Sequence, residues 1–192
     1  MRSGIVKEIP MKLTDAEKVS LTLLTEIHRS LKLYEEGIDS TLISNAIDTG
    51  NEWAITWKYG SYLGFNDREI PDEVKEVSNI LEMWSFIEEG VAALDASERQ
   101  ILEEKAAPYG RNPVFSGFDG NNEARSQSIA SFLSNELGVY ERFAGRSFYS
   151  PSSRMPIYQR MYVIFEAWLK NYPDRNLNLD ELVKILNARQ PQ

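Results

Sequence analysis

The sequence predicts an all-α protein, a single orthogonal array of six or seven helices, with room for one short extended segment near residues 53–57. Three observations predict it. An apolar stripe runs through Val74, Val77, Ile80, Leu81, Trp84, Ile87, Val91 and Leu94 at helical spacing, long enough for six turns. Capping-box pairs stand before three apolar-periodic segments, at Thr14/Glu17, Asp95/Glu98 and Asn178/Glu181. Alternation with a period of two occurs only briefly, where Trp53, Ile55 and Trp57 are separated by Ala54 and Thr56.

Taken in order, residues 1–13 read as a loose leader, and a single helical domain is expected over 14–188. The first helix is expected from about 15 to 36, with Leu24, Ile27, Leu31 and Tyr34 on its apolar face and Gly37 as its stop. Leu42, Ile43, Ala46 and Ile47 mark a short second helix ending at Gly50. The segment 53–57 fits a strand, an irregular aromatic connection or a further helical turn, and the glycines of 59–64 read as a loop. Helix, helix and strand could open a winged helix-turn-helix, but nothing in this region is basic. Pro71, with Asp72 and Glu73, starts the long striped helix. Asp95 or Ser97 caps the next, which stops before Pro108. A loop rich in proline and glycine then leads to a helix from about 123 to 137, capped by Asn121 or Asn122. After an aromatic segment bounded by Gly138 and Gly145, Pro156 opens a helix with Ser152 or Ser153 as its cap. Asn178 begins the last, and 188–192 are expected to fray.

The charge balance excludes several function classes. The chain has 192 residues, a net charge of −8 and no cysteine. That removes disulfides, thiolate metal sites and cysteine nucleophiles. The acidic balance weighs against duplex DNA, which needs a basic face. No apolar run approaches a membrane span and no secretory h-region opens the chain, so a cytoplasmic location is expected. The charge is uneven, however. Residues 1–105 carry 11 Lys+Arg against 21 Asp+Glu, whereas 106–175 carry 8 against 6, and seven of those eight are arginine. Arginine suits bidentate pairing with carboxylates and phosphates.

Candidate site residues follow from that uneven half. Arg125, Glu136 and Arg160 fall at helical spacing from apolar residues and so project from inward faces. With Asp119, Glu123 and Arg142 they form either a structural ion-pair network or a pocket for an anionic ligand. The helix after Pro156 is apolar on most of its circumference, so Tyr158, Tyr162, Phe165 and Trp168 are candidates for a subunit interface or the domain centre. No catalytic residue, metal ligand or cofactor motif is legible. His28, the only histidine, has no partner for a metal site and reads as a packing residue. Ser116 and Ser147 lack a histidine beside them. The expected mode of action is protein–protein contact, as a homo-oligomeric regulatory or scaffold module with a further partner protein unidentified. Two other readings stand beside it: an anion or single-strand binder using an Arg/Tyr surface in 115–160, where Arg146, Tyr149, Arg154 and Tyr158 fall, and a hydrolase using the carboxylates of 119–141.

Several short motifs carry a resemblance. They are Gly117-Phe118-Asp119, Glu123-Ala124-Arg125, then Phe132, Asn135, Gly138, Tyr140 and Phe143. Pro156, Tyr158-Gln159-Arg160-Met161 and Leu186-Asn187-Ala188 follow, and the start Met11-Lys12-Leu13-Thr14-Asp15-Ala16-Glu17 is similar in style. Together these resemble the YfbU family of bacterial proteins, closely over 115–188 and loosely over 37–110. The resemblance implies an all-helical fold in a cytoplasmic protein, and it supplies no catalytic residues.

Overall fold

The computed structural model describes residues 12–32, 37–64, 69–172 and 175–190. Eight α-helices, one π-helical turn, one 3-10 turn and one two-residue parallel strand pair make up the regular structure of these residues. The chain divides into two compact units, Met1–Lys75 and Glu76–Gln192, the division falling in the first turn of the helix that begins at Asp72.

In the N-terminal unit, α1 spans Asp15–Ser30, α2 Ser40–Asp48 and α3 Trp53–Leu63. The box at Thr14 forms as its residues dictate: the hydroxyl accepts the Glu17 N–H, and Glu17 accepts the Thr14 N–H. The helix ends at Ser30, not near 36; Tyr34 lies outside the described residues. Its inner side is mostly polar. Only Thr25 is buried, His28 meets the Ser40 hydroxyl at 3.1 Å, and Lys18 pairs with Glu52 at 2.6 Å. Asp39 caps α2 by accepting the N–H groups of Thr41 and Leu42, while its own N–H donates to the Tyr59 hydroxyl.

Of the three readings open for 53–57, the helical turn is the one observed and the extended segment is corrected; the loop expected at 59–64 is corrected too, being helix as far as Leu63. Both stretches belong to α3, which buries Trp53, Ala54, Ile55, Thr56, Tyr59 and Gly60. A helix covered on most of its circumference loses the 3.6-residue pattern, and alternating large residues then imitate a strand. Gly64, at φ +73°, is the true stop.

In the C-terminal unit, α4 (Asp72–Ala93) supplies the core residues Val77, Ile80, Leu81, Met83, Trp84 and Ile87, all essentially solvent-free. Then come α5 (Ala96–Lys105), β1 (Phe118–Asp119), α6 (Ala124–Ser131), β2 (Tyr149–Ser150), α7 (Met155–Leu169) and α8 (Leu179–Asn187). The boxes at Asp95 and Asn178 form as expected. The helix expected over 123–137 is broken in character: α6 ends at Ser131 and the chain continues as a π turn over Phe132–Glu136. Neither Asn121 nor Asn122 caps it; Glu123 stands at that position without capping α6 through its side chain.

The core is aromatic. Phe115 lies 5.4–6.2 Å, ring centre to ring centre, from Trp84, Phe118, Phe143, Phe148 and Tyr158, mostly edge-on, the geometry the ring quadrupoles prefer. Phe86 makes similar contacts with Phe165 and Trp168. The strand pair threads this cluster, and Gly117, at φ +76°, is where the chain passes the Phe148 backbone too closely for any Cβ.

Candidate functional site

Of the six candidate ionic residues, Glu123 and Arg160 serve the ends of two different helices, and Asp119 closes a turn. Asp119 Oδ1 accepts the Asn121 N–H at 2.9 Å, and its Oδ2 accepts the Asn122 side-chain amide at 2.6 Å, closing a tight turn after β1. Those hydrogen bonds, from Asn122 first and Asn121 next, hold its carboxyl below the usual aspartate range.

Glu123 reaches across to the start of α7. Its carboxylate accepts the backbone N–H groups of Arg154 and Met155 at 2.8–3.0 Å, the Asp119 N–H at 2.9 Å and the Ser153 hydroxyl. The first N–H groups of a helix have no partner within it, and the positive end of the helix dipole favours an anion there. Ser152 and Ser153 do not cap α7; a carboxylate some thirty residues earlier in the chain does. Burial alone would push the Glu123 carboxyl up, but four sets of donors outweigh it and hold it below the ordinary value.

Arg160 does the converse for α8. Its Nε and Nη2 donate to the carbonyls of Ala188 and Arg189, at 3.2 and 3.0 Å, and its Nη1 donates to Pro156 O at 3.0 Å. The expected carboxylate partner is thus replaced by the unpaired carbonyls of a helix C-terminus, where a cation is favoured. Arg99 repeats the device at the end of α4, on Ala92 O and Leu94 O. Arg142 is exposed and lies 3.6 Å from Glu89. Arg125 is half-buried on α6, and Glu136 is exposed on the π turn.

The aromatic candidates on α7 separate by face. Tyr158, Phe165 and Trp168 are buried within their own unit, and Tyr162 is half-buried. Tyr158 accepts the Ser116 N–H and donates to Gly117 O, tying α7 to the approach to β1. Burial pushes its hydroxyl up to about 12, against the Ser116 N–H and the positive charges of Arg154 and Arg189. It therefore offers no face to a nucleic-acid base. Arg146, from the same surface, is engaged with Glu88 at 2.9 Å.

Two features escaped the sequence reading. One is Arg189, whose guanidinium lies over the rings of Tyr109 and Trp84. The other is the outer side of α1, where Val19, Leu23, Leu24, Ile27 and Leu31 are each more than half exposed. The periodicity marked the apolar side of α1; it carried no information on what covers that side. Among the described residues, no group of three His, Asp or Glu is placed to hold a metal ion, and no helix is long and apolar enough to cross a membrane.

Comparison with known proteins rests on the whole length. The YfbU domain model matches residues 11–188, including the middle stretch where individual motifs were sparse. The chain belongs to the YfbU family. A curated relative, the UPF0304 protein MJECS11 of Methanocaldococcus jannaschii, is 24% identical over 175 residues, covering 89% of this chain and 98% of that protein. No solved structure matches. YfbU membership accords with the helical fold, and neither name specifies a reaction.

Proposed function

We propose that this YfbU-family protein is a homo-oligomeric regulatory or scaffold module whose copies meet through the outer side of α1. The observation that carries this reading is the exposed stripe Val19, Leu23, Leu24, Ile27 and Leu31. Five such side chains make a patch on the order of 500 Å², near the upper end of what a monomer leaves uncovered. Two patches face to face would bury roughly 1,000 Å², about the floor for a specific interface.

A second copy is the occupant that the spacing favours. Val19, Leu23, Ile27 and Leu31 recur every four residues and are symmetric about position 25. An antiparallel twofold contact sets Val19 opposite Leu31 and Leu23 opposite Ile27, as a self-complementary patch requires. It also opposes the two helix dipoles, bringing Asp15 and Glu17 of one copy toward the Arg29 end of the other.

Sedimentation velocity at micromolar concentration tests this. The expected result is a dimer that Leu23→Glu or Ile27→Glu converts to monomer with the helical circular-dichroism signal unchanged, because both positions are exposed. Val163→Glu, at an exposed position of α7, is expected to leave the dimer intact. A monomeric parent protein, or a dimer that survives both α1 substitutions, overturns the reading; disruption by Val163→Glu alone moves the interface to α7.

A further inference from the structure

The C-terminal unit holds a cavity of about 250 Å³ between α7 and α8. Ile164, Ala167, Trp168 and Tyr172 line it from one side, at the spacing of a single helix face. That face outlasts α7, because the Tyr172 N–H donates to Trp168 O at 3.1 Å and carries the helical turn on. Glu181, Lys184 and Ile185 line it from α8, again at helical spacing. The wall is mostly apolar, and its charged groups are confined to the α8 side.

Arg175 fixes the aromatic part of this wall. Its guanidinium carbon lies 4.4 Å from the Tyr172 ring centre and 5.5 Å from that of Trp168, and its Nη1 donates to the Glu181 carboxylate at 2.8 Å. The pair neutralises the one acid on the wall. The guanidinium also occupies the rings' capacity for a cation, so a cationic ligand has little to gain there. Lys184 is exposed, and among the described residues no carboxylate forms an ion pair with it. The described groups that line or touch the cavity thus carry one positive charge in surplus. Trp168 is 8% exposed, and its Nε1, which is near enough to Glu181 to add to the lowering of that carboxyl by Arg175 but is not in hydrogen-bonding geometry with it, is a buried donor without an acceptor.

Size and charge together select the occupant. An apolar cavity of about 150 Å³ holds one benzene ring, so about 250 Å³ admits a substituted ring or two fused rings. Aromatic walls favour a planar aromatic partner in stacked or edge-on contact. A carboxylate on that partner answers the unpaired ammonium.

We propose that the cavity between α7 and α8 binds a small soluble aromatic acid of one or two rings, its ring against Trp168 and Tyr172 and its carboxylate on Lys184. The mechanism is binding alone; no bond is made or broken. The site lies wholly in the C-terminal unit and shares no residue with the α1 contact, so failure of either reading leaves the other standing.

Isothermal titration calorimetry of the full chain with 2-naphthoate, and with its neutral isostere 2-naphthamide, tests the proposal. The acid is expected to bind saturably, at one site per chain, and at least about threefold more tightly than the amide, the range of a partly exposed ion pair. Lys184→Gln is expected to bring the acid down to the affinity of the amide. Ala167→Leu, which adds bulk to the wall from an exposed position, is expected to weaken both at least about tenfold. Lys170→Gln, on an exposed lysine paired with Glu166 and outside the lining, is expected to change neither. Should Ala167→Leu disturb the helical circular-dichroism signal, the Lys184→Gln comparison decides. Absence of saturable binding, equal binding of acid and amide by the parent protein, or full affinity in a folded Ala167→Leu overturns the proposal.

Discussion

Replacing Glu123 by alanine should weaken the C-terminal unit far more than its place in a loop suggests. The carboxylate accepts the N–H groups of Asp119, Arg154 and Met155 and the Ser153 hydroxyl. Loss of a helix N-cap costs about 1–2 kcal/mol. A hydrogen bond to a charged group contributes roughly 1.5–3 kcal/mol when well shielded. Glu123 is only half-buried, so water can replace part of what is lost. The net expectation, discounted for that screening, is about 2–3 kcal/mol. For a chain of this length that lowers the unfolding temperature by roughly 5–10 °C. Urea denaturation followed by tryptophan fluorescence measures it.

The pH dependence gives a second readout of the same variant. The folded-state pKa of Glu123 lies below its ordinary value of 4.5. Its ionisation therefore favours the folded state, fully so above the unfolded value, and that contribution is lost as the pH falls through the folded one. The stability gap between the parent protein and Glu123→Ala should be widest near neutral pH and should narrow on the acid side. Glu123→Gln, which keeps an acceptor oxygen and loses the charge, should fall between them. A gap under about 0.5 kcal/mol, within the range of an ordinary surface substitution, would refute the capping role, as would a gap that does not change with pH.

Gly117→Ala is expected to destabilise by more than about 2 kcal/mol, since a left-handed backbone conformation and a clash with Phe148 act together; Gly64→Ala, left-handed but with open space around it, should cost only about 1 kcal/mol in the same urea assay. Arg160→Met should cost about 1–2 kcal/mol and speed amide exchange over the last turn of α8, because two carbonyls there lose their donor. Absorbance titration should show one tyrosine ionising only near pH 12, and that component should vanish in Tyr158→Phe, which also loses about 1–2 kcal/mol of stability.

What the sequence disclosed follows the range of the interactions involved. The boxes at Thr14, Asp95 and Asn178 close within three residues, so their residues alone announce them. The stripe of α4 is legible for the same reason: one buried side and one wet side write a period into the chain. The helix α3 is not, because burial on most sides erases the period. Spacing alone puts Arg160 on an inward face, and it is half-buried, but its acceptors are backbone carbonyls, which every residue has and no sequence pattern marks. Its place marks Glu123 as an acid near a helix start; that the helix served is α7 and not α6 depends on a contact across 32 residues, which no local pattern records. The apolar pattern of Tyr158, Phe165 and Trp168 fits a subunit interface and a domain centre equally well, and in the structure all three are buried.

The two distant caps bear on how the C-terminal unit assembles. Glu123 meets its donors across 30 to 32 residues, and Arg160 meets the end of α8 across 28 or 29. A peptide cut to either helix alone lacks the group that terminates it, and short helices are marginal in water even when well capped. The first turn of α7 and the last turn of α8 should therefore gain order only after the chain has folded back on itself. Those turns should be the slowest to acquire protection in a pulse-labelled refolding experiment and the earliest to surrender it as denaturant rises.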